Sequence, residues 1–223
     1  MVVRGRSLTV ALAVLVAVLL IGPIHPQSQA LALQAGAQQM RGVRILIDPG
    51  HGGWDPGAVG PTGLTEAEVN LQVAVHLRNC LREYGGAEVA FTHWGERYVP
   101  LAERAAIANW WGADRFISIH HNGHNNPWVN GTEVFSHPHG SWASHDLRNK
   151  VHNRLLQVYG LRNLGTKTAN FTVLRNTHMP AILTEASFIT NPYEEARLKR
   201  QEYLWRQAYY IYLGIADHLG VQP

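Results

Sequence analysis

Four side chains of this 223-residue chain are of types that do chemistry at neutral pH, and three of them fall at or just past the ends of apolar runs. His51 lies in the glycine-rich stretch Asp48-Pro49-Gly50-His51-Gly52-Gly53. His120 closes the run Arg115-Phe116-Ile117-Ser118-Ile119-His120, and Glu185 directly follows Ala181-Ile182-Leu183-Thr184. Glu66 opens the periodic segment that comes after the His51 loop. Two imidazoles and a carboxylate are the ligand set of a catalytic zinc that keeps its fourth position for water. A further carboxylate close to such an ion is suited to general-base work. Each residue also has a plain structural reading. Glu66 in a first helical turn complements the helix dipole, His120 is equally a polar strand end, and Glu185 a solvated loop start.

Other motifs narrow the field by their absence. The chain has no HExxH, no GxSxG and no Walker A loop, and the spacing in the His51 stretch does not fit GxGxxG. Cys80 is the single cysteine, which excludes a thiolate zinc site and an internal disulfide. It reads as a buried apolar helix residue. Thirteen histidines make any one of them weak evidence. His124, His137, His139 and His145 lie in loop or helix-start sequence and read as solvated surface.

The elements that must position the four residues alternate in type. Val43 to Asp48 is strand-like and ends in Pro49-Gly50. Thr65 to Tyr84 reads as a helix with Val69, Val73, Leu77, Cys80 and Leu81 on one face. Thr65 with Glu68 matches a capping box, and Gly85-Gly86 stops the helix. Ala87 to Thr92, Arg115 to His120, Thr132 to Phe135, Phe171 to Leu174 and Ala181 to Thr184 are further strands. Between them come helices at Leu101 to Trp111 and along the stripe Leu147, Val151, Leu155 and Val158. A last helix carries Leu204, Ala208, Ile211, Ile215 and Leu219. This alternation predicts a single α/β domain, a mostly parallel twisted sheet of about six strands with helices on both faces. In such open sheets the carboxyl ends of the strands line the ligand crevice, which is where His51, His120 and Glu185 would converge.

Composition sets the outer limits. With 46% hydrophobic residues the chain is not disordered, and 21 Gly and 11 Pro are far too few for a collagen-like or low-complexity chain. The formal charge of +3 owes two units to Arg4 and Arg6, so no cationic face for nucleic acid is implied. Those arginines precede an uncharged run, Leu8 to Ile21. As a helix it spans about 21 Å, short of a bilayer core of about 30 Å. Basic flank, short apolar run and the site Ala30-Leu31-Ala32 read as a secretory leader over 1–32, either cleaved or left as a tether. No cysteine follows to carry a lipid. A polar linker spans 33–42, and the domain occupies 43–220. An exported protein acting in the cell envelope is expected, with no membrane partner beyond the leader and a monomer as the working assumption.

Four segments then resemble one family, the zinc-dependent N-acetylmuramoyl-L-alanine amidases that cut bacterial cell walls. They are Ile47-Asp48-Pro49-Gly50-His51-Gly52-Gly53, Glu66 with Val69-Asn70-Leu71, Ser118-Ile119-His120-His121-Asn122, and Leu183-Thr184-Glu185-Ala186-Ser187-Phe188-Ile189-Thr190-Asn191. Ala169 to Arg175 looks like the family's penultimate strand. The resemblance runs in order from about Val43 to Leu219. It implies one Zn2+ held by His51, Glu66 and His120, Glu185 as the catalytic carboxylate, and peptidoglycan as the substrate. His121 is excluded by strand alternation, which points it away from the face His120 uses.

The chain departs from the family at Thr92-His93, where Thr-Arg is usual. The interval of 65 residues between His120 and Glu185 is too short for the occluding helix of regulated division amidases. The pattern is that of stand-alone amidases, including those of spore cortex maturation. Two other classes remain open. One is a silent wall-binding or activator protein on the same fold, and the other a zinc hydrolase acting on another peptidoglycan bond. Trp54, Trp110, Trp111 and Trp128 carry no assigned role.

Overall fold

The computed structural model describes residues 39–158 and 160–222, so the leader and most of the expected linker lie outside the described residues. Six strands form one sheet in the order β2-β1-β3-β6-β4-β5. They are β1 (Arg44–Pro49), β2 (Glu88–Phe91), β3 (Arg115–Asn122), β4 (Thr132–Ser136), β5 (Asn163–Thr168) and β6 (Ala181–Phe188). All neighbours are parallel except β4 and β6. The helices are α1 (Glu66–Glu83), α2 (Leu101–Trp111), α3 (Trp142–Leu155), α4 (Thr172–Arg175), α5 (Pro192–Leu198) and α6 (Gln201–Leu219).

Strand alternation divides the apolar residues into two cores. Ile45, Ile47, Ile117, Ile119 and Ile182 face α1, α3 and α6, meeting Val73, Leu77, Val151, Leu155, Leu204 and Ile211. Leu46, Phe116 and Leu183 point the other way, onto Ala108 of α2 and onto Val173 and Leu174 of α4. Helices therefore cover both faces, which is why the central strands are apolar on both sides. Cys80 is buried in the larger core.

The capping box at Thr65 and Glu68 is formed, so α1 begins at Glu66 itself. Two readings of the sequence are corrected. Phe171 to Leu174 is not a strand: Thr172–Arg175 is one turn of helix, and its adjacent residues Val173 and Leu174 are both buried. Over four apolar residues a strand and a helical turn have the same pattern. The remaining strand is instead β5, parallel to β4 at the sheet edge, whose sequence Asn-Leu-Gly-Thr-Lys-Thr is mostly exposed and shows no apolar alternation. The central strands also run further than expected. β3 continues past His120 to Asn122, and Glu185 lies inside β6 rather than after it.

Candidate metal centre and the carboxylate beside it

The loop after β1 is held from beneath by a buried charge pair. Asp48 accepts from Thr92 Oγ1 at 2.7 Å and from Ser118 Oγ at 2.8 Å, and its Oδ1 meets Arg104 Nη1 at 3.0 Å. The buried guanidinium of Arg104 also donates to three carbonyls, those of Val99 and Pro49 at 2.8 Å and of His51 at 2.7 Å. His93 donates from Nε2 to the same Pro49 carbonyl at 2.8 Å. Arg104 thus supplies a buried guanidinium to this loop from α2.

The anchored loop holds His51 at φ 65°, the one non-glycine residue with positive φ among the described residues. That region is sparsely populated by L-residues and persists where its surroundings impose it. Close approach also requires glycine here. A Cβ on Gly50 would lie 2.2 Å from His120 Cε1, and one on Gly57 2.5 Å from Glu66 Oε2.

Glu66 is drawn in from the first turn of α1. Its Oε2 accepts from the Ala58 backbone N–H at 2.9 Å and lies 3.0 Å from His51 Nε2. Its Oε1 lies 2.9 Å from His120 Nδ1 and accepts from the His121 backbone N–H at 3.1 Å and Asn70 Nδ2 at 3.2 Å. The remaining nitrogen of His51, Nδ1, bonds Asp55 Oδ2 at 2.9 Å. This carboxylate–imidazole pair orients the ring and makes Nε2 a better donor to a metal.

Burial opposes charge on His51, but the hydrogen bonds and negative charges of Glu66 and Asp55 outweigh it and raise its pKa to about 9. Burial likewise opposes ionisation of Glu66, and the hydrogen bonds of His120 and His51 overcome it, holding the carboxyl far below the usual range. The cluster therefore holds an ionised carboxylate in contact with two imidazoles. Ligand atoms of His51, Glu66 and His120 all lie within 4.8 Å of one another. A tetrahedral ion with bonds of about 2.0–2.1 Å sets its donors about 3.4 Å apart. The contacts of 2.9 and 3.0 Å need only open slightly, so the donor set fits a divalent cation such as Zn2+.

Glu185 is the register partner of His120 across β3 and β6, and Glu133 of β4 is its partner on the other side. The three side chains form a row along one face of the sheet. Glu133 is buried, paired with Lys167 and bonded by Asn122 Nδ2 at 2.7 Å. Glu185 has no such partner: its Oε2 is shut off from solvent without a hydrogen bond. Burial, with the charges of Glu66 and Glu133 adding to it, raises its pKa well above the usual carboxylate value. Such a group, raised by desolvation and near-lying carboxylates, is suited to accept and return a proton.

His121 points to the opposite face, as alternation requires, and is fully buried against Asn70 and Gln207. Burial pushes its pKa down to about 4. The histidines at 124, 137, 139 and 145 form no cluster of three metal-ligand groups; among the described residues that geometry occurs at 51, 66 and 120. Sequence alone assigns no role to Asp55, Asn70, Arg104 or Glu133. Asp55, four residues from His51 in the same loop, was within reach of a local search; the others act across the fold.

The sequence profile of the N-acetylmuramoyl-L-alanine amidase family matches residues 45–217. The chain is 41% identical over 163 residues to the N-acetylmuramoyl-L-alanine amidase CwlM of Bacillus licheniformis, covering 73% of this chain and 63% of that one. It is 40% identical to the sporulation-specific N-acetylmuramoyl-L-alanine amidase of Bacillus subtilis, over 73% of this chain and 62% of that one. It thus spans less than two thirds of the length of these two relatives. Among solved structures, the amidase AmiC2 of Nostoc punctiforme superposes with a TM-score of 0.75 at 36% identity, covering 80% of this chain and 97% of that one.

Proposed function

This chain belongs to the N-acetylmuramoyl-L-alanine amidase family, and on that premise we propose that it is a zinc-dependent hydrolase of peptidoglycan. The bond cut is the amide between the lactyl group of N-acetylmuramic acid and L-alanine of the stem peptide. One observation carries the reading: His51, Glu66 and His120 gather their donor atoms within 4.8 Å, and Glu185 stands in register beside His120.

His51 Nε2, Glu66 and His120 Nδ1 would hold the ion, with Asp55 fixing the His51 ring. Zinc, when bound, supplies Lewis acidity towards water and towards a carbonyl oxygen. Glu185 takes a proton from the attacking water as its oxygen bonds the amide carbon. It then delivers that proton to the alanine nitrogen as the C–N bond breaks, leaving a lactyl carboxyl and a free stem peptide. The setting of Glu185 favours this exchange, because its Oε2, shut off from solvent and unbonded, takes up or gives back a proton without breaking a hydrogen bond. The basic, apolar leader supports a place of action outside the cytoplasm.

The test combines metal analysis of the purified protein with mass spectrometry of digested cell wall. The expected result is one zinc per chain and free stem peptides beside intact glycan. Loss of terminal D-alanine or of acetyl groups would move the reaction to another bond. Absence of any product would leave a wall-binding protein and overturn the enzyme reading.

A further inference from the structure

Two pairs of aromatic side chains at the metal-centre end of the sheet take no part in the chemistry proposed above. Trp54 is 76% exposed, and its ring centre lies 4.4 Å from that of the half-buried Tyr98, with a tilt of 32°. Trp128 and Tyr193 are 65% and 69% exposed, with ring centres 6.4 Å apart and a tilt of 38°. A single exposed aromatic needs no explanation, whereas paired rings grouped around a reactive centre mark a ligand surface. Trp94, at the same end, already has Phe91 at 4.3 Å and the Arg78 guanidinium at 5.3 Å as ring partners.

Strand direction fixes where the pairs stand. Trp54 and Tyr98 follow β1 and β2, and Trp128 and Tyr193 follow β3 and β6. These four strands are parallel, so all four rings come from the end that carries His51 and His120. In the order β2-β1-β3-β6 one pair belongs to the β2-β1 side of the site and the other to the β3-β6 side. Trp110 and Trp142, 88% and 78% exposed, lie at the end of α2 and the start of α3, at the opposite end of the sheet.

The supports of both pairs are shared with the metal centre. Trp54 stands between Gly53, whose N–H donates to the Gly95 carbonyl at 3.0 Å, and Asp55, whose Oδ2 bonds His51 at 2.9 Å. Buried Asn191 ties the second pair: its Nδ2 donates to the Val129 carbonyl at 3.3 Å, and its Oδ1 accepts from the Tyr193 N–H at 2.9 Å. The Trp128 segment starts from Gly123, which packs against Ala58, and the Ala58 N–H donates to Glu66.

The bond taken to be cut joins one sugar to one peptide. The peptide leaves the site in one direction, whereas the glycan continues from its muramic acid in both. Pyranose rings present C–H faces and N-acetyl methyl groups, which pack on the electron-rich faces of aromatic rings. With its lactyl carboxyl amidated, the uncut sugar brings no charge that would call for a cationic partner. We propose that Trp54 with Tyr98, and Trp128 with Tyr193, are two platforms on which N-acetylated sugars of the glycan strand stack, one on either side of the metal centre. This rests on the peptidoglycan reading given above and names sugar subsites of that same site. Tyr98 backs Trp54 and leaves the rest of that ring open, while Asn191 sets the spacing of Trp128 and Tyr193. Held at both platforms, the strand offers the amide of the muramic acid between them to Glu185.

The test titrates glycan strands stripped of their stem peptides into the purified protein by calorimetry, with melting curves to confirm folding. Trp54→Ala and Trp128→Ala are each expected to weaken binding about 2- to 10-fold. Trp54→Phe and Trp128→Phe, which keep a ring face, should recover most of the loss. Trp142→Ala removes an equally exposed ring at the far end and is expected to bind like the parent. Alanine variants at 54 and 128 that bind as tightly as the parent would sink the proposal. So would an equal loss in Trp142→Ala, or a parent that binds free stem peptides but not the stripped strands. Digestion of stem-bearing strands, run in parallel, separates this from the amidase reading. Tryptophan-dependent binding without cleavage would refute the enzyme and keep the platforms, whereas cleavage with tryptophan-independent binding would refute the platforms alone.

Discussion

His120 and Glu185 are register partners on adjacent parallel strands, two side chains on one face of the sheet although 65 residues separate them in the chain. Pairing of β3 with β6 therefore brings a metal-ligand candidate and a proton-transfer candidate to the same spot. The consequences for each residue are separable by experiment.

Glu185→Gln keeps the shape of the side chain and removes its capacity to take a proton. Zinc content is expected to stay at the parental level while the rate of stem-peptide release falls about 10²- to 10⁴-fold. Parallel metal analysis and digestion assays check this. Cleavage at the parental rate would remove Glu185 from the reaction.

The same residue gives metal-free protein a particular pH dependence. A glutamate in the unfolded chain ionises near about pH 4.3, while burial, reinforced by Glu66 and Glu133, keeps folded Glu185 protonated to higher pH. Its contribution to stability is complete below the unfolded value and is lost as pH rises towards the folded one, by at most about 1.4 kcal/mol per pH unit. Denaturant melts of metal-free Glu185→Gln should show it more stable than the parent at about pH 7, with the difference closing near about pH 4. A gap independent of pH would contradict the raised pKa.

His51 imposes the opposite trend on zinc uptake. With a pKa raised to about 9 by Glu66 and Asp55 against the cost of burial, the ring is protonated in metal-free protein at neutral pH. A metal ligand must be neutral, so binding releases that proton and apparent affinity should rise roughly tenfold per pH unit up to about pH 9. Competition titrations at several pH values, with the chelator's own protonation accounted for, measure the slope. A flat profile would show that His51 is not a ligand.

Arg104→Met leaves Asp48 buried without its cation and unties three carbonyls. Loss of one partner from such a pair is expected to cost about 3–5 kcal/mol of folding stability. Guanidinium unfolding reads this directly, and a change below about 1 kcal/mol would mean the loop holds its shape without the guanidinium.

Two glycines make a controlled comparison. Gly57 and Gly63 both have positive φ, at 66° and 94°, so alanine strains the backbone at either. At Gly57 the new Cβ would lie 2.5 Å from Glu66 Oε2 and 2.6 Å from His51 Cδ2, whereas Gly63 faces open space. Gly57→Ala should weaken zinc binding at least about tenfold, by pushing apart two first ligands, and Gly63→Ala should leave it unchanged although both lose stability. Equal zinc affinities in the two variants would separate the Gly57 loop from the metal centre.

Much of this was legible in the chain itself. The capping box at Thr65 placed Glu66 at the start of α1 to the residue, because that motif is satisfied within one turn. Alternation along Phe116 to His121 assigned His120 and His121 to opposite faces, since side chains on a strand repeat every two residues. The short segment at 171–174 reads as a strand but forms a helical turn, and the polar edge strand Asn163–Thr168 leaves no signal, because neither has a periodicity of its own. Tertiary neighbours decide both.

Sequence alone therefore determined which elements this protein builds and which residue types stand at their ends, for those depend on contacts within a few residues. Only the tertiary structure decided that Arg104 of α2 anchors the His51 loop, that Glu133 stands beside Glu185, and that Gln207 of α6 closes on His121. Each of those relations is set by strand register or helix docking between segments far apart in the chain. Such pairings are chosen by the burial and hydrogen bonding of the whole assembly, which no local pattern records.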